Sequence, residues 1–203
     1  MKIICIGVNY RQHAIEMGRP FPEQPVVFLK PDSAILKNNK PFFLPDFAES
    51  FHYEVELVLK VSKLGKGIEA RYAHRYFDEV TLGIDITARD LQSRLGKAGH
   101  PWALAKGFDG SAPLGKFVPV KSIRDVNNLG FSLDINGRTV QQGNTSDLIF
   151  SISEIIAFVS KFFTLKTGDL IFTGTPAGVG PLSRNDHLTA FLEGKPLLDF
   201  HIR

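Results

Sequence analysis

The chain has 203 residues, 43% hydrophobic and 22% charged, with a formal net charge of +3. That length suits one globular domain over 1–203 with a substantial core, and no apolar run approaches the ~18 residues of a membrane span. Basic residues are scattered without a Lys/Arg block, which gives no reason to expect nucleic acid or an anionic membrane as partner. The one cysteine, Cys5, sits in an apolar run and cannot form an internal disulfide; it reads as a small buried residue in a cytoplasmic protein. The opening MKIICIG is too short and too soon broken by Gly7 to be a signal peptide.

In chain order, residues 2–7 predict a buried strand ended by Gly7, and 9–17 a short helix stopped by Gly18 and Pro20. PVVFLKP (25–31) reads as a strand between prolines, and 32–50 as loop. FHYEVELVLKVSK (51–63) gives the clearest strand. A helix is expected over 69–80, then a strand over 80–90 running into a turn. The Gly- and Pro-rich stretch after it, through residue 115, is expected to be irregular. Residues 129–144 predict a hairpin around Asn136-Gly137. Residues 146–163 carry a helical apolar period, with Ser151 or Ser153 as cap. A strand and the glycine-rich TGTPAGVG (173–180) follow, then short strands around EGK. Many short strands and few helices imply a mixed, β-dominated α+β fold, because the alternation is too irregular for a doubly wound parallel sheet.

Within the 51–63 strand, Glu54 and Glu56 share a face with Val58 and Lys60. A solvated polar face would account for the pair taken alone. Two like charges at that spacing repel unless a cation sits between them. Asp85, between Ile84 and Ile86, supplies a third carboxylate that must be desolvated unless it is paired or bound to metal. Three carboxylates, with no Cys or His set of zinc spacing, suit a hard cation: Mg²⁺ first, then Mn²⁺ or Ca²⁺. Such an ion leaves positions for a chelating anionic substrate. Lys106, in an apolar stretch, is a candidate cation for it, with a snorkelling surface lysine as the plain alternative. Arg89 and Gln92 lie within reach of the same rim. The glycines of TGTPAGVG, Gly174 among them, bring backbone N–H groups and the Thr175 hydroxyl near a ligand, although a tight turn explains the stretch equally well. His13 and Glu16, three apart in the first helix, share a face and could form an oriented general base, or be ordinary surface decoration.

Together, IGVNYRQHAIEM, PVVFLKP, FHYEVELVLK, GIDITARDLQ, PWALAKGFD, NGRTVQQGNTSDLIFSI and GDLIFTGTPAGVGPL resemble the fumarylacetoacetate hydrolase family over nearly the whole chain. The small branch of acylpyruvate hydrolases, oxaloacetate decarboxylases and related isomerases is most similar. The resemblance implies a mixed β-roll with an N-terminal lid, and a homodimer. It assigns a metal triad to Glu54, Glu56 and Asp85, the substrate-polarising lysine to Lys106, and substrate contacts to Arg89, Gln92 and the TGTP threonine, Thr175. The lid's His–Glu pair falls on His13 and Glu16. It further implies a Mg²⁺-dependent hydrolase or lyase of small 2-oxo acids, acting on acylpyruvates or oxaloacetate. The alternative is an isomerase or decarboxylase of 2-hydroxyhepta-2,4-diene-1,7-dioate, for which Arg19 could meet the distal carboxylate; a non-catalytic metal-binding relative is a further class. Two positions depart from the family pattern: Val8, where members carry Arg, Ser or Leu, and Tyr53, where close members carry a second His. Tyr53 is expected on the face opposite the Glu pair.

Overall fold

The computed structural model describes residues 1–18 and 20–203, so Arg19 lies outside the described residues. Strand β1 (Ile3–Gly7) leads to helix α1 (Arg11–Glu16) and strand β2 (Val26–Lys30). The two-residue β3 (Ile35–Leu36) precedes β4 (Phe51–Tyr53), β5 (Val55–Val61) and β6 (Phe77–Ile84). Strand β7 (Thr87–Ala88) runs into α2 (Arg89–Lys97), and α3 (Ala103–Lys106) follows. After the short β8 (Ala112–Pro113) and β9 (Val118–Pro119) comes the hairpin of β10 (Gly130–Ile135) and β11 (Arg138–Asn144). Helix α4 (Ile152–Phe162), β12 (Leu170–Phe172), β13 (Gly180–Pro181), β14 (His187–Leu192) and β15 (Lys195–His201) complete the order.

The main sheet runs β2-β1-β12-β5-β6-β9, with β1 and β12 parallel and the other pairs antiparallel. A four-stranded sheet, β11-β10-β14-β15, packs through β10 on β5 and through β14 and β15 on β6. The fold is the expected mixed α+β arrangement. Strand β5 lies inside the main sheet and has core on both faces. Val55, Leu57 and Leu59 belong to the larger apolar cluster, and Val58 to a second one with Ile3, Cys5 and Phe172. The solvated face conceivable for Glu54, Glu56, Val58 and Lys60 is therefore absent: the first three are buried, and of these four Lys60, paired with Glu79 at 2.5 Å, reaches the rim. Opposite Glu56, Gly83 keeps that second cluster closed, because a Cβ there would stand 2.7 Å from the Phe172 ring.

Several expectations need correction. The 51–63 strand is split at Glu54, since β4 pairs with β7 and β13 whereas β5 pairs with β6 and β12. Asp85 lies just past the end of β6 rather than inside a strand. The helix expected over 69–80 is one 3₁₀ stretch, Ala70–Arg75, after which β6 begins at Phe77. The stretch expected to be irregular contains α2 and α3. The hairpin turns at Asn136 and Gly137, both at positive φ. Ser151, not Ser153, caps α4 in a reciprocal capping box with Glu154, and Ile152, Ile155, Ile156 and Val159 face the core at helical spacing.

At the base of the main sheet, Asp169 ties β12 to the N-terminus. It accepts from the Lys2 amide and the Lys166 amide, both at 2.8 Å, and pairs with the Lys2 ammonium. Burial pushes its carboxyl up, but these donors hold it below the usual range. Asp169→Ala is expected to cost ~1–2 kcal/mol of stability by removing the acceptor of two part-buried amides and the Lys2 pair. An unchanged thermal midpoint would reject that role. No helix among the described residues is long and apolar enough to cross a membrane.

Candidate metal and substrate site

The β5–β6 ladder builds the acidic centre. Its last pair is Val55 with Ile84, and just beyond it the Asp85 amide donates to the Glu54 carbonyl at 2.8 Å. Glu56, two residues inward, projects to the same side as Glu54. One carboxylate oxygen from each of Glu54, Glu56 and Asp85 can be chosen so that all lie within 4.8 Å of one another, and all three residues are buried. This donor set is suited to a hard divalent cation.

Their partners differ. Glu54 is held by Lys106 at 2.8 Å and by the Arg89 guanidinium. Burial raises the Glu54 carboxyl, but those two cations more than offset it and hold it far below its ordinary value. Asp85 meets the Lys106 ammonium at 2.6 Å through Oδ2 and the Lys30 ammonium at 2.8 Å through Oδ1. Glu56 accepts from the Gly174 amide at 2.7 Å and has no side-chain cation on it among the described residues. Burial, then Asp85 and Glu54, push its carboxyl well up. The cluster thus carries a repulsion at Glu56 that a bound cation would relieve, so its residues fit such an ion.

Lys106 ends the one-turn helix α3, buried rather than snorkelling, and also donates to the Thr87 hydroxyl at 2.5 Å. Burial lowers its ammonium pKa, but Asp85 and Glu54 raise it above the ordinary value, so it stays charged. Arg89 opens α2 and Gln92 lies one turn on; the guanidinium donates to Gln92 Oε1 at 2.6 Å. From the other side, the Thr175 hydroxyl accepts from Gln141 Nε2 at 2.9 Å. Gly174, at φ +106°, turns the loop where a Cβ would stand 2.7 Å from the Asn9 Cβ.

Helix α1 closes the cavity. His13 is buried, its Nδ1 lies 3.2 Å from Glu16 Oε2, and the Glu16 carboxylate also accepts from the Gly178 amide at 3.0 Å. One carboxylate therefore joins the helix to the TGTPAGVG loop. The cavity holds about 430 Å³ of empty space, mouth included. Its wall contains His13, Glu54, Glu56, Asp85, Arg89, Gln92, Lys106 and Thr175, while Glu16 and Gly174 stand behind it. Val8, Met17, Phe28 and Trp102 form an apolar side. Val8 sits at φ 57°, a strained conformation for a β-branched residue; its neighbour Asn9 is bonded to Phe150 and to the Thr173 carbonyl. Tyr53 is buried against Gly180 and does not line the cavity.

Sequence reasoning missed Lys30, Asn9 and Gln141. Lys30 carried a usable signal, a lysine closing an apolar strand, akin to the lysine in an apolar stretch that marked Lys106. Gln141 carried none: its Oε1 accepts from the Val55 amide at 2.9 Å across a long sequence separation.

Three buried carboxylates from adjoining strands, a buried lysine paired with two of them and a histidine on the covering helix make an oxygen-donor centre that could hold a hard cation. The family model for the fumarylacetoacetate (FAA) hydrolase C-terminal domain matches residues 2–202, and the chain belongs to that family. It is 42% identical over 197 residues to oxaloacetate tautomerase YcgM of Escherichia coli, covering 97% of this chain and 90% of that one. To the human mitochondrial oxaloacetate tautomerase FAHD1 it is 40% identical over 200 residues, covering 98% and 90%. The fold is similar to the crystal structure of fumarylpyruvate hydrolase from Pseudomonas aeruginosa in complex with Mn²⁺ and pyruvate. There the TM-score is 0.94 at 35% identity, covering all of this chain and 89% of the other. It is also similar to 2-hydroxyhepta-2,4-diene-1,7-dioate isomerase from Mycobacterium marinum, with TM-score 0.86 at 34% identity, covering 99% and 73%. These relatives are enzymes.

Proposed function

We propose that the chain is a divalent-metal-dependent enzyme that works on small 2-oxo acids through their enolates. Its reactions are keto–enol interconversion and decarboxylation of oxaloacetate, and hydrolysis of acylpyruvates to pyruvate and a carboxylic acid. The observation that carries this is the convergence of Glu54, Glu56 and Asp85 with Lys106 on one wall and His13 on the covering helix. The named relatives favour oxaloacetate, and the P. aeruginosa structure favours a pyruvate-forming hydrolysis.

Glu54, Glu56 and Asp85 would hold Mg²⁺, with Mn²⁺ or Ca²⁺ as substitutes. When bound, such an ion supplies Lewis-acid polarisation of the 2-oxo and carboxylate oxygens. Arg89, Gln92 and Thr175 then orient the substrate carboxylate. The Lys106 ammonium places fixed positive charge where the enolate oxygen develops, in a site shielded from water. Glu16 holds His13 by Nδ1 and leaves Nε2 for the cavity. For tautomerisation, Nε2 takes a proton from C3 of the keto form and delivers it to the 2-oxo oxygen, or in the reverse direction takes it from the enol oxygen and delivers it to C3. For hydrolysis, it takes a proton from water as that water adds to the distal acyl carbonyl. The C–C bond then breaks, its electron pair passes to the pyruvate enolate, the carboxylic acid leaves, and the imidazolium returns its proton to the enolate C3 to give pyruvate. Decarboxylation reaches the same enolate by loss of CO₂ without water. The reading extends to one catalytic domain over 1–203, working as a homodimer in a reducing compartment such as the cytoplasm, in keeping with the single buried Cys5.

The test offers oxaloacetate, acetylpyruvate and 2-hydroxyhepta-2,4-diene-1,7-dioate in parallel to the Mg²⁺-loaded protein, following enol absorbance and pyruvate. Catalysed decay of enol-oxaloacetate, with pyruvate from acetylpyruvate, is the expected result. Turnover of the dioate alone would move the protein to the isomerase reading.

A further inference from the structure

Lys30 has no part in the reaction outlined above, yet it is among the most enclosed side chains of the protein. Its side chain is 0% exposed. A buried ammonium is costly unless oxygens replace its water, and here five do. Besides Asp85 Oδ1 at 2.8 Å, it meets the Ser111 carbonyl at 3.0 Å, the Ser111 hydroxyl at 2.9 Å, the Ile86 carbonyl at 3.4 Å and the Lys106 carbonyl. These oxygens come from three separate segments: the end of β6, the end of α3 and the approach to β8.

Two of those segments carry the site. Helix α3 is only four residues long, too short to hold its shape alone. Its final carbonyl, on Lys106, has no onward helical partner. The Lys30 ammonium and the Ser111 hydroxyl, at 2.8 Å, both cap that carbonyl. The same ammonium faces Asp85 Oδ1 as an ion pair without a hydrogen bond, and Oδ2 is the oxygen turned to Lys106 and the acidic centre.

The geometry points to Lys30 as a positioning residue that locks Asp85 and the Lys106 backbone in one mutual arrangement, so that Asp85 offers a metal one defined oxygen. This rests on the triad of the proposed function but not on which substrate is turned over. Partners that orient a metal ligand commonly contribute ten- to hundredfold in metal affinity or activity. Losing the Lys30 charge alone would pull the opposite way, because one fewer cation near the centre favours a second one. Orientation is assigned the larger effect, since Asp85 and α3 are both released.

The experiment compares wild type and Lys30→Met, stripped of metal, by titration with Mn²⁺ and detection of free Mn²⁺ by electron paramagnetic resonance. Circular dichroism establishes that each is folded. A rise of about tenfold or more in the Mn²⁺ dissociation constant, in folded variant, is expected. A constant within threefold of wild type, or a lower one, would overturn the assignment. Should the methionine variant fail to fold, Lys30→Gln, which keeps two N–H donors for the surrounding carbonyls but no charge for Asp85, is judged by the same criterion. Wild type that binds no Mn²⁺ would sink the triad itself. Wild type that binds Mn²⁺ without turning over 2-oxo acids would sink the proposed function and leave the Lys30 comparison intact.

Discussion

Replacing Glu56 by glutamine is expected to weaken Mn²⁺ or Mg²⁺ binding at least ~100-fold and to abolish metal-dependent turnover, while the metal-free protein becomes slightly more stable. The two effects share one cause. Glu56 is buried with two like-charged neighbours and one amide donor, and its carboxyl is pushed up. A carboxyl whose pKa is higher in the folded chain favours folding most below its unfolded value, and that contribution is lost as pH rises through the folded one. Above its unfolded value the Glu56 carboxyl therefore opposes folding of the metal-free protein. A glutamine Oε1 can still accept from the Gly174 amide and carries no charge. A rise of a few degrees in the thermal midpoint without metal, corresponding to ~1 kcal/mol, is the expected sign. Unchanged Mn²⁺ affinity in this variant would remove Glu56 from the triad.

The second large effect is expected from His13→Ala. It should lower acetylpyruvate hydrolysis by ~10²–10⁴-fold, the usual contribution of a positioned general base, with Mn²⁺ affinity unchanged. His13 faces the cavity from α1, whereas the carboxylates come from the sheet, so its removal leaves the metal donors in place. Glu16→Gln should produce a smaller loss, because an amide oxygen can still accept from Gly178 but orients the imidazole less well. Hydrolysis surviving in His13→Ala would show that another group activates the water.

The contrast between what the sequence disclosed and what it withheld follows from the distance over which each signal acts. Glu54 and Glu56 were legible because the two-residue period of a strand is local, and Asp85 because a lone carboxylate among isoleucines is anomalous on its own. The break at Glu54 was not legible: the chain changes partners there, from β7 and β13 to β6 and β12, and no local pattern encodes a partner. Helix α2 was masked by the Gly and Pro that follow it, although Asp90 in its first turn and Arg94 and Lys97 in its last are favourable helix-end charges. Lys30 meets oxygens 56 and 81 residues away in sequence, and Gln141 bridges to Val55 across 86. Such residues become visible only when the sheet brings the segments together. The resemblance in ordered motifs conveyed the rest, and the fold and family agree with it.

The measurement closest to the centre of the account is the decay of enol-oxaloacetate by protein treated with EDTA, then dialysed and restored with Mn²⁺ or Mg²⁺. Loss of catalysis on chelation and its return with either ion, in wild type but not in Glu56→Gln, is the predicted result. Full activity of the metal-stripped protein would contradict the account.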